Sequence, residues 1–232
     1  EAQDFPPMMF KALSLLWFRL KNLNITFAPS VMADENQRLE RGANSSLIAI
    51  KDSLRTFPAC YDAFAESKLE RNYRNTKEIA NVASKFYVGN KTGISDSIDC
   101  RSGTKPVLFW HEKRQNKLVE RIIQYKINHP NNTVGVIFIQ TSYVSRIQTL
   151  SKNLRENIEQ KGLDIICQEY YNQDWADKKR NGTLAPLDFD SPNTITVIGK
   201  KSAKGLEFDC VFVPSVTDLL YSDQAFEFAM EF

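Results

Sequence analysis

Residues 134–139 read Val-Gly-Val-Ile-Phe-Ile, and residues 144–158 read Val-Ser-Arg-Ile-Gln-Thr-Leu-Ser-Lys-Asn-Leu-Arg-Glu-Asn-Ile. The first is a short, almost wholly apolar run. The second spaces its apolar residues at three and four, the period of an amphipathic helix. A strand with no polar face must be covered on both sides, which is the condition of a parallel sheet between helices. The same rhythm extends outward. An extended run occupies 106–110 (Pro-Val-Leu-Phe-Trp), and an amphipathic helix is expected over 116–127. Further strands are expected over 163–167, 195–198 and 210–213. Alternating strands and helices predict an α/β fold with a parallel sheet and helices on both faces. In such sheets ligands bind at the carboxyl ends of the strands, so the residues that carry chemistry are expected there.

Toward the amino terminus, residues 8–20 carry apolar side chains at helical spacing, and 45–53 predict a second, short helix. Residues 25–32 read as a strand running into the polar turn 33–37. A helix is expected over 76–86, with Asn75 or Thr76 as its N-cap and Ile79, Ala80, Val82, Ala83 and Phe86 on one face. Residues 168–193 are polar and aperiodic, with Gly and Pro, and predict a long loop.

Composition narrows the classes. The chain has 232 residues, 42% hydrophobic and 25% charged, an ordinary globular balance that can bury one sizeable core, or one core and part of a second. A net charge of +2 leaves any nucleic-acid surface to be local. Cys60, Cys100, Cys167 and Cys210 form no C-x-x-C pair, and with His111 and His129 they make no zinc spacing. Isolated reduced thiols fit a cytoplasmic protein. No apolar run is long enough to span a bilayer, and no secretory signal is present, so the glycosylation-like triplets at Asn24, Asn44, Asn90, Asn131 and Asn181 read as chance.

Signals for phosphate binding are less direct. No G-x-x-x-x-G-K-[ST] loop occurs, and Gly199-Lys200-Lys201-Ser202 lacks the upstream glycine that such a loop needs. Four short segments nevertheless stand in order: Glu1-Ala2-Gln3-Asp4; Ala33-Asp34-Glu35-Asn36-Gln37-Arg38-Leu39; Leu69-Glu70-Arg71-Asn72-Tyr73-Arg74-Asn75; and Ser202-Ala203-Lys204-Gly205-Leu206-Glu207-Phe208-Asp209. Each alone reads as a helix end or a turn. Their succession, each at the edge of a predicted element, is far less common.

Together the four segments resemble the UvrD/Rep type of superfamily 1 DNA helicases, from the magnesium motif to just before the last arginine motif. The resemblance implies two RecA-like α/β domains with ATP between them and single-stranded DNA across the top. Residues 1–67 would then be the remnant of the first RecA-like domain and 68–232 the second, with little or no accessory insertion. Glu1 matches the glutamate that polarises the attacking water, a group that phosphoryl transfer needs beside its metal. The Mg²⁺-binding Asp would immediately precede it, so the chain is expected to be a piece of a longer motor, with no metal ligand and no ATPase activity of its own. Gln37 matches the γ-phosphate sensor, Tyr73 the adenine-stacking aromatic and Arg74 the arginine that reaches the γ-phosphate, a role suited to a planar, permanent cation. Glu207 matches the acid that takes the ribose hydroxyl, with Gly205 permitting close approach.

The sequence departs from the family in three places. Ala33-Asp34 stands for Gly-Asp, Leu39 for a tyrosine, and Gly199-Lys200-Lys201 for Thr-x-His, losing a hydroxyl and gaining two cations. Lys200, Lys201 and Lys204 could track a DNA backbone or form a solvated surface. The expected cofactors of the intact motor are ATP and Mg²⁺, and the expected partner is single-stranded DNA. A second reading from another class is a non-catalytic nucleic-acid- or partner-binding module on a RecA-like scaffold. An RNA-directed motor shares the same parts.

Overall fold

The structure is a computed structural model, and it describes residues 2–25, 30–33, 46–56, 65, 67, 74–84, 101–109, 115–139, 144–170 and 187–214. The chain divides into two compact units, one from Glu1–Val107 with Asp223–Phe232 and the other from Leu108–Ser222.

In the first unit a short 3₁₀ turn, Ala2–Asp4, leads into helix α1 (Pro7–Asn22). Pro7 stands at the first helical position, where its missing N–H costs nothing because no intrahelical acceptor exists for it. Phe10, Ser14 and Trp17, at helical spacing, are the buried side of α1. Phe10 and Ser14 meet helix α2 (Leu47–Leu54), which starts at Ser46, whose hydroxyl accepts from the Ala49 N–H at 3.1 Å. The small core joins Ala2, Phe10, Ile50 and Leu54, with Leu13, Val31 and Ala33 packed around it. The buried Ser14 hydroxyl donates to the Leu54 carbonyl at 2.7 Å, and the Ala2 N–H donates to the Met32 carbonyl at 2.9 Å.

Helix α3 (Lys77–Ala83) begins at Thr76, whose hydroxyl accepts from the Ile79 N–H, so of the two caps expected it is Thr76 that serves. The apolar face expected over 76–86 is not a core face. No residue of α3 is buried, Val82 is 42% exposed, and Phe86 lies outside the described residues. Of the strand expected over 25–32, residues 26–29 lie outside the described ones, and residues 30–32 form no strand.

The second unit is α/β. Helix α4 (Gln115–Asn128) precedes strand β1 (Val134–Phe138), helix α5 (Val144–Gln160), strand β2 (Ile166–Tyr170), strand β3 (Thr194–Gly199), the single turn α6 (Lys200–Ala203) and strand β4 (Cys210–Phe212). The strands form one sheet in the order β2-β3-β1-β4, and every pair is parallel. Val134 pairs with Ile195 and Phe138 with Gly199, so β1 and β3 end level with each other.

One face of this sheet carries the main core. Val134, Val136 and Phe138 of β1 and Ile195 and Val197 of β3 pack with Val119, Ile122 and Ile123 of α4 and Ile147, Leu150, Leu154 and Ile158 of α5. Both long helices therefore lie on the same face. The connections explain the other face. β1 reaches β2 by passing α5 over β3, whereas β3 reaches β4 by passing over β1 in the opposite direction. Right-handed crossovers running in opposite directions must lie on opposite faces. Accordingly Gly135, whose face is opposite that of Val134 and Val136, lies against the Phe208 ring of the β3–β4 connection. Helices on both faces are expected from the sequence; among the described residues both long helices lie on the first face, and the second face meets Phe208 of the β3–β4 connection.

Two strand expectations shift for physical reasons. The strand expected over 163–167 starts at Ile166 and runs to Tyr170. Gly162, at φ 60°, turns the chain off α5, and the Leu163 N–H donates back to the Ile158 carbonyl. Pairing starts only where Ile166 donates to Asn193, so the long loop begins after 170, and its residues 171–186 lie outside the described ones. No strand forms over 106–109. Pro106 has no N–H to place in a ladder. Leu108 is 80% exposed, and the ring of Phe109 lies 3.7 Å beneath the Arg121 guanidinium.

Lys126 is the largest polar group in this core, with 2% of its surface exposed. It continues the buried stripe of Val119, Ile122 and Ile123 on α4, so its stem belongs inside. Its ammonium donates to the carbonyls of Pro130, Asn132 and Pro192, tying the start of β1 to the start of β3. Burial pulls its pKa below that of an ordinary lysine.

Candidate functional site

Adjacent parallel strands whose connections leave in opposite directions open a crevice at their carboxyl ends. Here those strands are β1 and β3, ending at Phe138 and Gly199. Lys200 and Lys201 follow β3 directly, and Arg146 stands exposed in the first turn of α5, which follows β1. The positive end of the α5 dipole adds to these charges. The three lysines named from the sequence are not alike. Lys200 is buried at 8% exposure, Lys204 is half-buried, and Lys201 is exposed. Lys201 and Arg146 are therefore the cations that a ligand at this end can meet most openly. Nothing in the sequence motif marked Arg146.

Gly205 and Glu207 lie elsewhere. The Leu206 N–H closes a turn onto the Ala203 carbonyl at 3.0 Å, and Gly205 takes φ 83°, a left-handed conformation that a side chain would strain. Nothing lies within 4 Å of where a Cβ on Gly205 would stand, so the requirement there is conformational rather than steric. Glu207 follows, exposed. Next to it, Phe208 covers Gly135, and Asp209 reaches Thr133 at the amino end of β1. The Asp209 carboxylate accepts from the Thr133 N–H at 2.8 Å and from the Thr133 hydroxyl at 2.9 Å. The Asp209 N–H donates to that same hydroxyl oxygen at 3.0 Å, and the Cys210 N–H donates to the Thr133 carbonyl at 3.2 Å.

This corrects the expectation that all the informative residues gather at the carboxyl ends. A chain that leaves one parallel strand must travel the length of the sheet before it can start the next. Four steps of β1, from Val134 to Phe138, span about 13 Å. Lys200 and Lys201 are at the start of that return and Glu207 near its finish, so this one segment presents cations at one end of the sheet and a carboxylate toward the other. Thr133, Gly135, Phe208 and Asp209, which shape the finish, were given no role from sequence. Thr133 and Gly135 are 73 residues or more from their partners, and no local signal links them.

In the first unit Arg74 is exposed just before the Thr76 cap of α3. Its carbonyl accepts from the Arg101 guanidinium at 3.5 Å, and the Lys77 N–H donates to the Arg101 carbonyl at 2.9 Å. The Glu78 carboxylate accepts from the Gly103 N–H at 2.8 Å. Its pKa lies below the usual carboxylate value, chiefly because backbone N–H groups, its own and that of Gly103, bond to the charged form. Three bonds thus hold 101–103 against the start of α3, an arrangement that brings Arg74, Lys77 and Arg101 together. Glu1, Gln37 and Tyr73 lie outside the described residues.

Among the described residues no three His, Cys, Asp or Glu side chains come together to hold a metal ion. No helix among them is long and apolar enough to cross a membrane. Comparison with known proteins finds no protein-family model, no curated protein and no solved structure that matches this chain.

Proposed function

We propose that this chain is part of an ATP-dependent DNA helicase or translocase of the UvrD/Rep type, contributing a RecA-like second domain to it. The observation that carries the reading is the place of residues 200–209 as the return connection of an all-parallel sheet, with lysines at its start and Glu207 near its finish. Such a segment can meet two ligands at once, a nucleic-acid backbone through Lys201 and Lys204 and a nucleotide hydroxyl through Glu207. Arg74 would supply a cation to the nucleotide phosphates. ATP and Mg²⁺ would drive the intact motor by opening and closing its two RecA-like domains. This sequence contains no phosphate loop, so hydrolysis would need one from elsewhere.

The test is fluorescence anisotropy with a labelled single-stranded oligonucleotide. Binding is expected to weaken as salt rises and to weaken further in the double variant Arg146→Ala/Lys201→Ala, since removing a cation that pairs with a phosphate reduces the salt slope by about one. Nucleotide is expected to shift the affinity, and the chain alone is expected to show no ATP turnover. Oligonucleotide binding that ignores nucleotide would instead favour the non-catalytic module. Stronger binding to an RNA oligonucleotide would favour an RNA-directed motor.

A further inference from the structure

The residues around Glu207 are held in an unusual way for an exposed turn. At its start the chain leaves the fully buried β3 through Lys200, itself buried. At its finish it is seated twice. The Phe208 ring occupies the space that a side chain at residue 135 would fill, with ring carbons 2.5 to 2.9 Å from the ideal Cβ position. The Asp209 carboxylate and N–H both close on Thr133. Phe208 and Asp209 are consecutive, so one pins the chain against the face of β1 and the other pins it at the end of β1. Glu207 is the last residue before this double seat, and Gly205 sets its approach.

We propose that Thr133 and Asp209 are positioning residues for Glu207, holding its carboxylate in the geometry that receives a nucleotide before the ligand arrives. The inference rests on the reading of Glu207 as a nucleotide contact. A pre-ordered turn binds more tightly because the ordering cost is met in folding rather than in binding. The Thr133 hydroxyl is the centre of the clamp: it donates to the Asp209 carboxylate and accepts from the Asp209 N–H. The Thr133 N–H bond to the carboxylate does not depend on the side chain. Thr133→Val therefore keeps shape and one bond while deleting two, and Thr133→Ser keeps all three.

The experiment measures, on the full chain, peptide-resolved amide hydrogen exchange over 204–210 and the affinity for a fluorescent ATP analogue. Thr133→Val is expected to speed exchange of that peptide tenfold or more, leave the peptides of α4, α5 and β3 unchanged, and weaken the ATP analogue about tenfold. Thr133→Ser is expected to behave as the parent in both. Unchanged exchange in Thr133→Val overturns the clamp. Faster exchange with unchanged affinity, where Glu207→Gln does weaken the analogue, overturns the positioning role alone. No binding of the analogue by the parent, or no effect of Glu207→Gln, overturns the reading of Glu207 itself and with it the role of its support.

Discussion

Gly135→Ala is a one-carbon change with a calculable outcome. The new Cβ would stand 2.5 Å from Phe208 Cδ2, 2.8 Å from Cγ and 2.9 Å from Cε2. Carbon atoms in contact rest at about 3.5 to 4.0 Å, so the overlap is about 1 Å and involves the ring's attachment point, not only its far edge. Phe208 cannot retreat freely because the next residue is tied to Thr133 by three hydrogen bonds of 2.8 to 3.0 Å. Overpacking of this kind costs about 1–3 kcal/mol. Gly135 has no positive φ to protect, so alanine also gains about 0.4–1 kcal/mol by narrowing the unfolded ensemble. Taking the middle of both ranges, the expected net loss is about 1.3 kcal/mol, or roughly 3–5 °C in the melting temperature of a chain this size. The assay is urea and thermal denaturation followed by far-UV circular dichroism, repeated in a Phe208→Ala background where the obstacle is gone. There Gly135→Ala should be neutral or slightly stabilising, a coupling of about 1 kcal/mol or more between the two sites. A loss below about 0.5 kcal/mol in the parent, or an equal loss in both backgrounds, would refute the steric argument.

Further outcomes follow from buried polar groups. Burial pushes the Cys167 thiol up to about 12 from 9.0, with the Arg155 guanidinium opposing, so iodoacetamide at pH 8 should label its peptide far more slowly in the native chain than in urea. The folded chain keeps that proton while an unfolded one releases it near pH 9. Below about pH 9 the thiol contributes no pH dependence; from there toward 12 stability is lost, by up to about 1.4 kcal/mol per pH unit. Cys167→Ala should remove that part of the alkaline slope, and an unchanged slope would contradict the assignment. Lys126→Met retains the apolar stem but leaves the Pro130, Asn132 and Pro192 carbonyls without their donor, and should destabilise by about 2–4 kcal/mol in urea denaturation. Ser14→Ala deletes the buried bond to the Leu54 carbonyl and should cost about 1–2 kcal/mol, with the α1 and α2 peptides exchanging faster while those of β1 and β3 do not.

Local sequence settles what neighbouring residues decide among themselves. Apolar spacing at three and four places α1, α4 and α5 within a few residues of their observed bounds, and Thr76 announces its helix because a cap acts on amides three residues away. All-apolar strands likewise announce a parallel sheet, since their composition already implies cover on two faces. The same local reading overreached at 106–109, where apolar residues without a ladder partner remain in solvent. The strand order, and with it the opposite directions of the two crossovers, comes from long-range packing. That order separates Lys201 from Glu207 along the sheet, though they are only six residues apart in the chain. It also makes partners of Thr133 and Asp209 and of Gly135 and Phe208, and buries Lys200 while leaving Lys201 open. Pairings of this kind depend on which strand lies beside which, and no periodicity within a strand or helix encodes that.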